Sequence, residues 1–380
     1  MTRILFVLHE ASRTGAPFTQ LHLMRWLKQN TDYQMMLVLL TGGDLVEDFE
    51  HLAEVHIVKK PYVPAPISRR IRNRITALYR PTTEEAIVRS IKQFHPNLIF
   101  VNSAVAVHYA VSLKLQLGIK LFAYLHELEI TFIYISPELF ALDAPHIDKF
   151  VMGSEAVSRF YQKKFAVPAE KAHVIYDFTE GVESVANADI RVAYGIASTT
   201  SIVGAMGSIN WRKGPELFVE IARRVLKTNP NTYFMWVGGK PTSYTYLELE
   251  RDVRILGLSD RIILAGEQVD IRSYYEAYDI FLLTSREDPF PLVCLESALA
   301  YTPIICFADA GGMPEFVRDD AGAVVPYLDL DAMAEKVNKL LADKQLRQQQ
   351  GKIAHDRVVQ MCTIDVAGPQ ILRLIAKELA

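Results

Sequence analysis

Short apolar runs alternate with amphipathic stretches along the whole chain. In the first half the runs are RILFVLHE, YQMMLVLL, VHIVKK, NLIFVNS, LFAYLHE, KFVMGS and HVIYD. Each has strand length and a nearly continuous apolar character, the mark of a strand buried on both faces of a parallel sheet. Between them lie segments such as LHLMRWLKQN and TEEAIVRSIKQF, whose apolar positions recur at helical spacing. A softer polar segment, EGVESVANAD (residues 180–189), interrupts the series, which then restarts with TSIVGAMGS, TYFMWVGG, RIILAG, IFLLTS, TPIICF and GAVVPY. The alternation predicts an α/β chain of two Rossmann-like, doubly wound parallel-sheet domains joined by that segment. Expected boundaries are 1–182 and 183–360, with 361–380 a final helix. Ligands of doubly wound sheets bind beyond the carboxyl ends of the strands, so the domains are expected to face each other across a cleft.

Composition narrows the class. The 380 residues, 50% hydrophobic and 22% charged, suffice for two cores, and a formal charge of −3 argues against nucleic acid as partner. Cys294, Cys306 and Cys362 lie far apart among apolar neighbours, as buried thiols of a reducing compartment would. With no apolar stretch long enough to cross a bilayer and no secretion-type leader, a cytoplasmic protein is expected. One segment stands out, PYVPAPISRRIRNRITALYRP at 61–81, with five arginines beside Ile67, Ile71, Ile75 and Leu78. It reads either as a solvated helix face or, over 67–80, as a basic amphipathic surface for anionic lipid headgroups at the inner membrane face or for a phosphorylated acceptor.

Candidate chemistry sits in two loops. There is no G-x-x-x-x-G-K-[ST], no G-x-G-x-x-G after the first strand, and HELEI (126–130) lacks the second histidine of a zinc site. In GAMGSINWRKGPELFVEIA (204–222) a strand ends at Gly207, the loop carries Arg212 and Lys213, and Gly214-Pro215 opens a helix. Two cations beside free helix N–H groups suit phosphate oxygens. In SREDPFPLVCLE (285–296) a strand ends at Ser285, an acidic turn follows, and Pro291 begins a helix whose first amides, at Leu292 and Val293, would face an anion. Glu296 falls in the second turn, where its carboxylate can accept from neutral hydroxyls.

The spacing of that last stretch resembles the E-x7-E motif of retaining glycosyltransferases of the GT-B fold, family 4. Eight positions before Glu296 is Asp288, not Glu287, so Asp288-Pro289-Phe290-Pro291 stands where the family has E-G-F-G. SINWRKG resembles the family's phosphate-binding loop, GGMPEFV (311–317) its G-G-x-P-E turn, SRTGAP (12–17) the loop after its first strand, and LHELE (125–129) its acceptor-side histidine region.

The resemblance implies roles. Glu296 would hold the ribose hydroxyls of a nucleoside-diphosphate sugar, while Lys213 with Arg212 neutralises the diphosphate. Asp288, with backbone amides after Phe290, would hold hydroxyls of the transferred sugar, and Gly15 would let backbone approach the distal phosphate. His126 would lie near the reacting carbon, and the base would meet backbone near Gly239 and Glu267. The final helix would return to the first domain. The implied reaction is metal-independent transfer of a sugar, from a UDP-linked donor in the first instance, to a saccharide or glycolipid acceptor, with no cofactor. Three departures stand against the pattern: Gly207-Ser208 replaces Gly-Arg, Pro291 replaces a glycine, and Asp288 is one methylene short. Two other readings stay open, a nucleotide-sugar 2-epimerase and a non-catalytic nucleotide-sugar-binding subunit.

Overall fold

The computed structural model describes residues 1–59, 83–181 and 189–379. The basic segment at 67–80 and most of the expected linker, 182–188, lie outside the described residues. The chain divides into two compact units, one of Met1–Gly153, Val157–Ile175 and the residues from Gly368 on, the other of Ser154–Ala156 and Tyr176–Ala367.

In the first unit seven strands form one parallel sheet: β1 Arg3–Leu8, β2 Gln34–Thr41, β3 Glu54–Lys59, β4 Leu98–Asn102, β5 Lys120–Leu125, β6 Lys149–Met152 and β7 Ala172–Val174. Their order is β3-β2-β1-β4-β5-β6-β7, so the winding reverses between β1 and β4. Helices Gly15–Asn30, Thr83–Phe94, Val107–Leu117 and Glu155–Phe165 occupy the amphipathic stretches. β1 and β4 are buried almost from end to end, which is why they read as continuous apolar runs. The last helix, Ile364–Leu379, begins in the second unit and ends in the first. Gly368 lets it lie against Trp26, and Glu378 pairs with Lys149 at 3.1 Å.

The second unit repeats the plan with six parallel strands, β8 Ile202–Met206, β9 Tyr233–Val237, β10 Ile262–Gly266, β11 Ile280–Leu283, β12 Ile304–Phe307 and β13 Gly322–Val325. Their order, β10-β9-β8-β11-β12-β13, puts the reversal between β8 and β11. Phe218 of helix Pro215–Val225 packs edge-on against Phe234 and Trp236 of β9 at 5.6 and 5.5 Å. Burying each such ring removes enough apolar area to contribute about 1.5–3 kcal/mol. Trp236 also reaches the site, since its indole N–H donates to the Gly207 carbonyl at 3.0 Å and pins the start of the loop after β8. The three cysteines are free and buried. Among the described residues no helix is long and apolar enough to cross a membrane.

Candidate functional site

The loops that follow β8 and β11 flank the reversal of the second sheet, where a doubly wound fold leaves room for a ligand. The first runs from Gly207 to Gly214 and turns on Asn210, whose Oδ1 accepts from the Lys213 N–H at 3.0 Å. Gly214 caps the helix Pro215–Val225 with φ 65°, and a Cβ there would fall on the Thr284 carbonyl, so glycine is required twice over. The second loop is held to the first: Arg286 N–H donates to Arg212 O at 2.7 Å and Thr284 Oγ1 to Lys213 O at 3.1 Å.

Asp288 closes the pair. Its carboxylate accepts from Lys213 Nζ at 2.5 Å, Ser285 Oγ at 2.9 Å and Arg212 Nη1 at 3.1 Å, and Arg212 Nη1 also donates to the Glu287 carbonyl at 2.9 Å. Burial alone would push the Asp288 pKa up, but the charges of Lys213 and Arg212 reverse this and hold it below the usual carboxylate value. The turn lies flat on the GGMPEFV segment: Asp288 N–H donates to Ala310 O at 2.6 Å and Gly312 N–H to Pro289 O at 2.8 Å. Gly311 has φ 139°, and a Cβ on it would collide with the Asp288 carbonyl. The glycines of that motif thus shape the acidic turn.

The helix after the turn is Leu292–Leu299, with Pro291 as its N-cap rather than its first residue. Leu292 and Val293 supply the first-turn amides, ahead of the Cys294 N–H that closes on Pro291 O at 3.0 Å. Phe290 is buried against Tyr176 and Phe316, so its side chain serves packing and only its backbone borders the site.

Glu296 lies one turn further on, in a different setting. Its Oε2 accepts from the buried hydroxyl of Tyr275 at 2.8 Å, and it lines a cavity of about 280 Å³ with Glu180, Arg272, Tyr275, Glu276 and Leu299. Burial pushes its pKa up to about 6, against the lowering effect of the Tyr275 hydrogen bond. Among the described residues no charged partner reverses the shift, unlike at Asp288. Tyr275 was not legible as a site residue: YYEAYD offers three tyrosines, all of them buried, and only helix Arg272–Ala277 decides which one meets Glu296. Ser285 was missed for a similar reason. Glu267 stands exposed just past β10.

Gly15 and His126 belong to the first unit. Gly15 opens the helix Gly15–Asn30, and a Cβ on it would meet no atom within 4 Å, so internal packing does not demand the glycine. His126 follows β5, is 8% exposed and packs its ring on Tyr124 with centroids 4.2 Å apart. Glu127 Oε2 accepts the N–H groups of His126 and Ala104, each at 3.0 Å. His9 feels Glu127 and His126 electrostatically, and burial holds its pKa below the usual histidine value. The HE dipeptide after β1, unspecific as a sequence, therefore joins the one after β5.

Comparison with known proteins supports the same picture. Residues 187–357 match the model for glycosyl transferases group 1, and residues 15–179 match glycosyltransferase family 4. A lipopolysaccharide core biosynthesis mannosyltransferase of Rhizobium leguminosarum bv. viciae is 31% identical over 168 residues, 42% of this chain and 47% of that protein. A lipopolysaccharide core biosynthesis glycosyltransferase of Rhizobium meliloti is 28% identical over 207 residues, 54% of this chain and 58% of that protein. The matches thus span about half the length of these relatives. Among solved structures, Anabaena HepE in complex with UDP superposes with a TM-score of 0.81 over 99% of this chain and 100% of that one, at 19% identity. Sucrose-phosphate synthase from Thermosynechococcus elongatus gives 0.74 over 99% of both chains, at 18% identity. At such identities the likeness speaks to the fold.

Proposed function

The chain belongs to the family 4 glycosyltransferases, with a C-terminal half of the group 1 type, and from that membership we propose that it transfers a sugar from a nucleoside-diphosphate donor, UDP-linked in the first instance, to a saccharide or lipid-linked acceptor of glycan biosynthesis, with retention of configuration. The observation that carries the reading is the meeting of Lys213 and Arg212 at the turn that opens the helix bearing Glu296. Support comes also from HepE, solved with UDP and with UDP-glucose, and from the lipopolysaccharide core relatives.

The chemistry follows from where charge develops. Breaking the bond between the anomeric carbon and the phosphate oxygen sends its electron pair to the diphosphate. Lys213, Arg212 and the amides of Leu292 and Val293 meet that charge with little reorganisation, without calling on a metal. Ionised Glu296 accepts hydrogen bonds from the ribose hydroxyls, with Tyr275 fixing one of its oxygens. Asp288 and the backbone after Phe290 hold hydroxyls of the sugar, and the acceptor hydroxyl attacks the face from which the diphosphate leaves and passes its proton to the departing phosphate oxygen. In the first unit, Gly15 admits a phosphate close to backbone and His126 holds a hydroxyl at the reacting end.

A thermal-shift panel of UDP-, GDP- and ADP-sugars tests the reading, since a ligand that binds only the folded state raises stability by mass action. One nucleotide series is expected to stabilise the protein and to release free nucleoside diphosphate slowly without acceptor. Conversion of the donor alone to an epimer would replace the reading by a 2-epimerase. Binding with no release would replace it by a non-catalytic subunit.

A further inference from the structure

Asp288 needs no sugar to be satisfied. Its two oxygens already take Lys213 Nζ, Ser285 Oγ and Arg212 Nη1 within 3.1 Å, and it is 5% exposed. Both cations on it are those assigned above to the diphosphate. An ammonium in contact with one carboxylate presents a weaker field to a second anion, so Asp288 and a diphosphate compete for one pair of charges. Resting on the donor reading above, we propose that Asp288 is a built-in counter-anion that weakens the hold on the nucleoside diphosphate product and turns to the sugar hydroxyls when intact donor takes the cations. It thereby discriminates donor from product: only the donor brings hydroxyls that compensate the displaced carboxylate.

The loop does not depend on Asp288 for its shape. Arg212 Nη1 keeps the Glu287 carbonyl at 2.9 Å, and Arg212 O keeps the Arg286 N–H at 2.7 Å. Lys213 is held through its own backbone, its N–H on Asn210 Oδ1 at 3.0 Å and its carbonyl on Thr284 Oγ1 at 3.1 Å. Neutralising Asp288 therefore unmasks the cations while the backbone of the loop that carries them stays anchored.

Asp288→Asn, equal in shape and uncharged, is the test, with binding measured by isothermal titration of UDP. The dissociation constant is expected to fall about tenfold, or 1.4 kcal/mol. Affinity should also decline more steeply with added salt, and UDP should become the stronger product inhibitor while turnover drops. Asp288→Glu, which keeps the charge, should bind UDP close to the wild-type value. Should the asparagine variant fail to fold, Asp288→Ser is read in the same way. Wild-type binding of UDP with equal or weaker binding by the neutral variant overturns the counter-anion and leaves the donor reading intact. If the wild-type protein binds none of UDP, GDP or ADP, the donor reading falls and the counter-anion with it.

Discussion

The two sheets reverse their winding in the same way, yet the carboxyl ends of their strands carry opposite chemistry. Past β8 and β11, two cations and a carboxylate close on each other within 3.1 Å. Past β1, β4 and β5, the buried polar groups are Asn102, Ser103 and His126: Asn102 Nδ2 donates to Ala16 O at 3.4 Å, Ser103 N–H to Tyr124 O at 2.9 Å, and the carboxylate of Glu127 accepts the N–H groups of His126 and Ala104, each at 3.0 Å. A cross-braced charged site suits a ligand group of fixed charge and shape, such as a diphosphate. A mostly neutral one suits hydroxyl groups, which differ from one acceptor to the next. The contrast predicts that substitutions at the charged loops of the second unit act first on nucleotide binding, and substitution of His126 in the first unit on transfer alone.

The largest effect should come from Lys213→Ala, which removes a cation that is only 13% exposed and leaves Asp288 short of a partner. Steady-state kinetics should show kcat/KM down by about a thousandfold, and UDP should no longer raise the melting temperature. Unimpaired stabilisation by UDP would break the contrast at its root. Glu296→Gln should cost about a hundredfold, and it has a signature in pH. Because Glu296 is pushed up to about 6, UDP affinity of the wild-type protein should weaken as pH falls through that value. The glutamine variant should keep only the part of this dependence that comes from the terminal phosphate of UDP, which itself titrates at about 6.

The same two carboxylates oppose each other in stability. Glu296 titrates above its unfolded value, so its contribution is full below that value and is lost as pH rises through about 6. Asp288 titrates below its unfolded value, so its contribution is present at neutral pH and is lost as pH falls through its lowered pKa. Thermal melts at neutral pH should therefore show Asp288→Asn lowering the melting temperature and Glu296→Gln keeping or raising it. Equal losses in both would mean that their surroundings differ less than the contacts indicate.

Much of this layout was legible in the chain's alternation. The thirteen apolar runs coincide with β1 to β13, and TEEAIVRSIKQF is a helix from its first residue to its last. Strands buried on both faces announce themselves by composition, and Gly214-Pro215 marks a helix start by backbone constraint alone. What stayed hidden depends on partners distant in sequence. Lys213 and Asp288 are 75 positions apart, and their contact exists because β8 and β11 are neighbours across the reversal. Tyr275 meets Glu296 only after a short helix fixes its direction. The eightfold spacing singled out Asp288 and Glu296 but said nothing of their opposite surroundings.

His126→Ala should lie lower on the scale, with turnover down by about ten- to a hundredfold and stabilisation by UDP unchanged. Loss of that stabilisation would erase the division of labour between the two units.

The smallest effect is expected at Glu287, the acid that adjoins Asp288 in sequence. Its backbone carbonyl accepts from Arg212 Nη1 at 2.9 Å, a link that survives any side-chain change. The side chain is half-buried, outside the trio that closes on the Asp288 carboxylate. The register of the motif leaves Glu287 out of the donor contacts, so Glu287→Ala should cost less kcat/KM than Asp288→Ala. Measured beside Asp288→Ala under identical conditions, it tests the register of the motif by itself. A loss at Glu287 as large as that at Asp288 would move the functional carboxylate by one position and dissolve its pairing with Lys213.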